Sequence, residues 1–496
     1  MARRHGSDAA LRGPAAVGSR ATERRVIGWI AASVLLGLLV FQGGDIGWSD
    51  GMSMYQVARS IVEDRDVAIV QGVVWEGADG RYYSPFGIGL SLLAAPLYGS
   101  ISAIRGVMPV PSFVAQGVVS LLAPVLLALV STATFSLSRR LGGQLRSAAA
   151  AAFGVAGGTF LVIYGKTFSS EPLAALLVTV SIERVLAGSP TLAGAALGGA
   201  ALARPQTFLF APFLVWALWR HGRGASVARG TWPVIVSASV QLAYNVARFG
   251  DPTNFGYSGT EVPQGFTTPI FTGLGGLLLH PEKSVLLFAP IVLLGPPALI
   301  RLFRVDRLAA VLITAHLGVT LVLAATWWDW GGGFTWGPRL LIPAIPPLVA
   351  AVVPWAEERA HRTRAVVWLF VIGFAVSAPS LVVGGGAQLT ERPPPEEGPR
   401  IAEQFRLVPD TVGYTVEHLY EDEEGRDPAR VLYLWQAGMA YRAGRPGLIA
   451  SLAITVALLV GAVASLLRVV THLSRANAGP ATGRAGIGSG PGEDAP

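Results

Sequence analysis

Cysteine is absent from the 496 residues, which excludes disulfides, thiolate metal sites and a cysteine nucleophile and leaves the redox compartment open. Charge is scarce: 14% of residues are Asp, Glu, Lys or Arg, against about 25% in an ordinary soluble chain. Lysine is nearly missing, since all but Lys166 and Lys283 of the 38 basic residues are arginine. The histidines are scattered without a pair at metal spacing, and the DPTNFG stretch lacks the acidic ladder of a calcium loop, so neither a metal nor any other cofactor is implied. GRYYSPFGIG lacks the lysine of a nucleotide-phosphate loop. No repeat of solenoid or propeller length is apparent. What is plentiful is apolar: 52% hydrophobic residues and a mean hydropathy of +0.50. Runs of about 15 to 25 apolar residues alternate with short polar turns, and a helix crosses a bilayer in about 20. A soluble enzyme and a single-pass receptor are both excluded. The formal charge of +7 would suggest nucleic acid in a soluble domain. Here the arginines sit in turns between apolar runs, where they set orientation instead, so no nucleic-acid partner is expected.

The basic turns set the topology. They fall at residues 139–146, 220–229, 301–307 and 357–364 and in the tail after Arg468. Placing them, and the Arg-rich N-terminal stretch 1–25, in the cytoplasm requires about twelve spans. These lie at 26–42, 113–137, 147–164, 170–187, 190–203, 205–219, 230–247, 284–300, 308–326, 338–354, 365–384 and 448–467. The expected fold is an all-α polytopic membrane protein. Residues 86–101 are apolar, but counting them as a span would push 139–146 outside, so they read as interfacial or re-entrant. The stretch GAALGGAALARPQ predicts a tight helical hairpin packed through Gly194 and Gly198. Four outer segments are long or chemically rich: 42–112, 248–283, 327–339 and 384–447. A chain that gathers its polar residues at one membrane face works at that face, whereas an alternating-access carrier needs them near the midplane. Segment 385–447 is too charged and too small for its own core, and the apolar stripe of VLYLWQAGMAY within it suits a membrane surface, as a lid or collar would. The last span, 448–467, leads to a disordered cytoplasmic tail at 468–496.

Several polar residues fall at outer span ends. Asp50, in WSDGMSMYQVARSIVEDRD, suits the start of a helix and is a candidate general base, with Asp45 as the spare. Lys166, Arg204, Lys283 and Arg339 are cations at helix ends; the ordinary fate of such residues is to snorkel to headgroups, and the functional one is to hold a phosphate. Arg339 follows glycines in GGGFTWGPR, whose backbone amides suit an anion. Glu171 precedes Pro172 at a helix start, where a carboxylate favours the dipole. Tyr83, Tyr257 and Trp328 could stack on sugar rings, although aromatic belts account for such residues unaided. Asp329 sits among the tryptophans of WWDW, as a candidate contact to a sugar or acceptor.

Read in order, WSDGMSMYQVARSIVEDRD, GRYYSPFGIGLSLLAAPLY, KTFSSEPLAALL, ALARPQTFLFAP, NVARFGDPTNFGY, GLGGLLLHPEKSVLLFAP and WWDWGGGFTWGPRLLIPAIPPL form a set. It resembles the GT-C glycosyltransferases, membrane enzymes with a polyprenyl-phosphate sugar as donor, in the subgroup similar to protein mannosyltransferases and lipid A aminoarabinose transferases. The resemblance runs from about residue 26 to 354, and the order carries it. It implies a GT-C-like catalytic region at 26–384 with a large first outer loop at 43–112. It also implies a catalytic carboxylate at Asp50, a donor lipid phosphate held by the four cations, and sugar or acceptor contacts from Glu171 and the aromatics. Two departures stand out: Gly51 occupies the place of the family's second acidic residue, and Pro85 and Phe86 follow YYS where the family has a lysine. The implied activity is an inverting transfer to an acceptor hydroxyl at the outer face of the cytoplasmic membrane. The acceptor would be a lipid, a glycan or a protein. The alternatives are a twelve-span carrier of a lipid-linked or small solute and a membrane scaffold.

Overall fold

The computed structural model describes residues 16–47, 50–257, 265–333, 335–383, 400–418, 432 and 434–477. The expectations for residues 1–15, for the charged stretches 391–399 and 420–430 and for the tail from 478 lie outside them. The regular structure of the described residues is helical apart from one small hairpin and two isolated bridges. The helix α1 (Ala16–Leu39) leads to loop 1, where α2 (Asp50–Glu63), the antiparallel pair β1 (Trp75–Glu76) and β2 (Tyr82–Tyr83), and α3 (Gly89–Arg105) pack together. There follow α4 (Ser112–Ser120), α5 (Leu122–Arg140), α6 (Leu145–Gly157), α7 (Leu161–Tyr164), α8 (Ser170–Leu186), α9 (Pro190–Ala203) and α10 (Ala211–Phe249). The second half holds α11 (Ile270–Leu279), α12 (Val285–Phe288), α13 (Gly295–Val305), α14 (Arg307–Thr326), α15 (Ile345–Ala356), α16 (Ala360–Ser377), α17 (Arg400–Glu417) and α18 (Trp435–Asn477).

Among the described residues, five stretches are long and apolar enough to cross a membrane: Ser112–Arg140, Arg307–Thr326, Arg339–Ala356, Ala360–Leu381 and Trp435–Ala476. The chain is a multi-pass membrane protein. Apart from α1, of 24 residues, and the limbs of α10, the other expected spans are shorter helices or are broken by proline and glycine, as where α12 passes through a tight turn at Pro290–Leu294 into α13. Proline removes an intrahelical hydrogen bond and starts a new helix at its own position.

Two helices fold back on themselves. The side chain of Leu218 packs against Gly230, although twelve residues of straight helix would separate them by about 18 Å, so α10 reverses between them. The arginines of 220–229 occupy that reversal. In α18 the break is at Gly444, whose φ of 59° is left-handed. There the chain turns so sharply that Gln436 Nε2 donates to Thr455 Oγ1 at 2.8 Å.

Three stretches take a definite place in the fold. Residues 86–101 largely form α3, a helix whose buried face packs on α2. Gly194 and Gly198 pack a hairpin against Gly230 and Ser237 on the returning limb of α10. The stretch from Trp435 lies against the end of α1, where the Trp435 amide donates to the Gln42 carbonyl at 2.8 Å and Gln436 Nε2 to the Val40 carbonyl at 2.9 Å.

Charge forms two layers at opposite ends of the helices. One holds the pairs Arg139–Glu23, Arg140–Glu183, Arg301–Glu358 and Arg362–Glu358, with Glu357 accepting from the Gln144 amide. It collects the basic turns at 139–146, 301–307 and 357–364. The other layer surrounds Glu171, twelve residues or about 18 Å up α8 from Glu183.

Candidate active site

Loop 1 has a core of its own. Met52, Met54, Tyr55 and Ala58 of α2 meet Leu90, Ala94 and Tyr98 of α3, Ala115 and Val119 of α4, and Phe168. This core fixes the first turn of α2, and with it Asp50, against the end of α8. Gly51 makes that approach possible: a Cβ there would come within 2.4 Å of the Phe168 carbonyl oxygen. Gly87 and Gly89 likewise lie against the backbone of Leu202 and Ala203, where a Cβ would have no room. These contacts bring loop 1 onto the end of α9, beside Arg204.

Four of the residues singled out in the sequence meet in one ionic chain. Arg339 Nη1 lies 2.6 Å from Asp50 Oδ2, and Arg339 Nε lies 3.9 Å from Glu171 Oε1. Glu171 in turn accepts from Arg204 Nη1 at 2.6 Å. The Glu171 carboxylate is buried, with 3% of its side chain exposed, whereas Asp50, Arg204 and Arg339 retain between 16% and 22%. A buried acid between two guanidiniums is a paired charge, and it holds both cations in place. The chain spans four separate elements: α2, the start of α8, the end of α9 and the turn Arg339–Ala344 before α15.

Lys283 and Lys166 act locally. Lys283 Nζ donates to the carbonyls of Gly333 at 2.8 Å and Thr335 at 2.5 Å, so it holds the glycine loop that shapes the Arg339 side. Gly332 in that loop has φ +74°, and a Cβ on it would lie 2.7 Å from Arg339 Cγ; the left-handed turn and the close approach both call for glycine. Lys166 is buried and donates to the Leu381 carbonyl at 2.7 Å. Burial pulls its amine down to about 7, with the Asp45 carboxylate acting the other way.

The aromatic candidates divide. Tyr83 is fully buried, with its hydroxyl donating to Asp79 Oδ2 at 2.8 Å and accepting from Arg81 Nη2 at 2.9 Å and its ring edge-on to Phe249. Its faces are covered by protein. Tyr257 is half-buried, packs edge-to-face on Trp327 with centroids 5.0 Å apart, and its hydroxyl is held above the usual range by burial while it senses the charges of Arg204, Asp50 and Arg339. Trp328 keeps 39% exposure and its amide donates to the Gly265 carbonyl at 2.8 Å. Asp329 closes the same turn, its carbonyl accepting from the Gly332 amide at 2.9 Å.

Two residues here escaped the sequence reading. Arg248 is 2% exposed, donates to the Ser84 carbonyl and, at 2.7 Å, to Asn245 Oδ1, and stacks on the Tyr244 and Phe249 rings. It ties loop 1 to α10. Tyr164, buried at the end of α7, donates to the Trp336 carbonyl at 3.1 Å and holds the loop that precedes Arg339. An arginine just before a helix-ending glycine was visible in NVARFGDP, but snorkelling is the ordinary reading of that pattern.

A solved structure shares this architecture. ArnT from Cupriavidus metallidurans bound to undecaprenyl phosphate is similar over 93% of this chain and 79% of its own, with a TM-score of 0.50 and 13% identity. ArnT from the same organism in the apo state gives 0.49 at 13% identity, over 90% of this chain and 77% of its own. The Archaeoglobus fulgidus oligosaccharyltransferase in its apo form gives 0.42 at 13% identity, over 82% of this chain and 58% of its own. No family model and no curated protein matches the chain.

Proposed function

We propose that the protein is a membrane glycosyltransferase that moves a sugar from a polyprenyl-phosphate donor to an acceptor hydroxyl, with inversion, at the outer face of the bacterial cytoplasmic membrane. The observation that carries this reading is the ionic chain Asp50–Arg339–Glu171–Arg204 at one end of the bundle, opposite the layer of basic turns. The fold shared with a structure bound to undecaprenyl phosphate supports the donor class. A carrier would be expected to place such charges near mid-helix, where alternating access needs them.

The chemistry asks for little. The acceptor oxygen attacks the anomeric carbon as the bond from that carbon to the phosphate oxygen breaks, and the bonding pair leaves with the phosphate. Asp50 takes the hydroxyl proton as general base. The phosphate gains negative charge as it leaves, so fixed cations stabilise the transition state more than a second acid would. On this reading Arg339 and Arg204 take that role, and Glu171 positions both. Lys283 acts through the glycine loop, and Lys166 braces the turn that leads into α8. Tyr257, Trp328 and Asp329 border the site as sugar or acceptor contacts. Residues 26–384 form the catalytic region on this reading.

Deleting the gene and restoring it as wild type or Asp50→Asn tests the proposal by mass spectrometry of envelope glycans and polyprenyl-phosphate sugars. Wild type restores a missing glycan and lowers an accumulated lipid-linked sugar. The variant, present at equal level, loses transfer by about 10³, within the usual worth of a general base. Equal restoration by both would remove Asp50 from the chemistry.

A further inference from the structure

The base in this structure is occupied. Asp50 Oδ2 accepts from Arg339 Nη1 at 2.6 Å, so the carboxylate that would take the acceptor's proton is engaged by a guanidinium. Arg339 is not saturated in return. Its Nε is buried and has no hydrogen-bond partner among the described residues, and it stands 3.9 Å from Glu171 Oε1. A guanidinium carries five N–H donors in a fixed fork that matches a phosphate in bidentate fashion. With both acids ionised, Asp50, Glu171, Arg204 and Arg339 form a neutral set, two acids against two arginines. A donor phosphodiester adds one negative charge to that set.

We propose, on the transferase reading above, that Asp50 and the donor phosphate compete for Arg339, so that arrival of the lipid phosphate unpairs the base and the enzyme works donor first, acceptor second. Two anions on one cation repel each other, and a phosphate can take two donors of the Arg339 fork where Asp50 is given one, Nη1. Glu171 and Arg204 keep Arg339 in reach while it changes partner. Once Arg339 turns to the phosphate, the Asp50 oxygen is open to an acceptor hydroxyl, and the proton it receives relieves the charge that the phosphate brought. An acceptor arriving before the donor meets a masked base, which limits transfer to water or to a wrong nucleophile.

Competition has a consequence opposite to that of a helpful contact. Removing the charge of Asp50 must tighten phosphate-lipid binding while it abolishes transfer. The experiment titrates the full chain in nanodiscs with undecaprenyl phosphate, and in parallel with the uncharged polyprenol of the same length, for wild type, Asp50→Asn and Arg339→Gln. Asp50→Asn should bind the phosphate lipid about tenfold more tightly than wild type, within the usual range of coupling between two sites, with polyprenol affinity unchanged. Arg339→Gln should bind the phosphate lipid at least about tenfold more weakly. Should Asp50→Asn fail to fold, Asp50→Ser removes the same charge and suits the helix start.

Equal or weaker phosphate-lipid binding by the neutral variant overturns the competition and leaves the transferase reading standing, because wild type still binds. Tightening of polyprenol by the same factor also overturns it, since the effect would then be packing. Failure of every folded form to bind undecaprenyl phosphate overturns both the competition and the donor assignment.

Discussion

Gly51 shows how one missing side chain shapes a site. By resemblance a second acid belongs beside Asp50, yet a Cβ at 51 would lie 2.4 Å from the Phe168 carbonyl oxygen. The tight seat of α2 on the start of α8 excludes a side chain there, and Glu171, one turn further along, supplies the second carboxylate of the site. Gly51→Ala is therefore expected to destabilise the protein by about 1–3 kcal/mol, the usual cost of overpacking. Thermal unfolding of the purified protein reads this as a lowered Tm. Gly318→Ala serves as the comparison, because nothing lies within 4 Å of that position on α14 and alanine in a helix interior is the better residue by roughly 0.5–1 kcal/mol. A Tm unchanged by Gly51→Ala would show that α2 is not seated as described. Gly51→Asp should restore no activity to Asp50→Asn, since the same carbonyl blocks it.

At the scale of elements, the hairpin β1–β2 depends on one acid. Asp79 accepts from Arg81 Nε at 2.7 Å, from the Arg81 amide at 3.1 Å and from the Tyr83 hydroxyl at 2.8 Å, and Arg81 also reaches Asp66. The Arg81 guanidinium, with Tyr83, holds the Asp79 carboxyl down at about 2 from an ordinary 3.8. A carboxyl lowered by folding stabilises fully above its unfolded value and loses that contribution as pH falls through its folded value. The hairpin is accordingly expected to be intact above about pH 4 and to loosen as pH falls towards about 2. Hydrogen exchange over residues 75–83, corrected for the intrinsic rate at each pH, checks it. Asp79→Asn should show the loosened exchange already at neutral pH, and a variant as protected as wild type would remove Asp79 from the hairpin's support.

This hairpin was not legible in the sequence, because strands of two residues leave no alternation to read. The helices were legible, because apolar length and arginine punctuation are long-range signals, and the reversal at 220–229 falls where its arginines do. Gly194 and Gly198 announced a close helix contact but not its partner, since small residues record that a backbone is near and nothing about which one. Of the site, Asp50, Glu171, Arg204 and Arg339 were each visible as a charge at a helix end. Their linkage was not, because it joins positions as far apart as 50 and 339 through packing that no local pattern encodes. Tyr83 and Lys166 looked like ligand contacts for the same reason that snorkelling residues do: a polar tip at a span end is equally a wet tip or a buried brace.

For the whole molecule, the two charged layers carry a statement about sidedness. Glu23, Arg139, Arg140, Glu183, Arg301 and Glu358 interlock at one end, and the Asp50 chain closes the other. A bilayer orients arginine-rich turns inward, so the site end should face outward, with loop 1 in the extracytoplasmic space. The lack of cysteine turns this into a direct measurement, because any thiol introduced is the only one in the protein. Val107, 85% exposed between α3 and α4, and Ala360, exposed at the start of α16 beside the basic turn 357–364, sit at opposite ends. Val107→Cys should react with a membrane-impermeant maleimide in intact cells. Ala360→Cys should react only after the membrane is opened. Both substitutions avoid the ionic chain, so each variant should keep wild-type transfer and report on a working enzyme. The reverse pattern would put Asp50 on the cytoplasmic side, where soluble nucleotide sugars are available, and would undo the argument for a lipid-linked donor at its root. Reaction of both sites from outside would instead move the turn at 357–364 across the membrane and break the link between arginine and orientation on which the path of the chain was built.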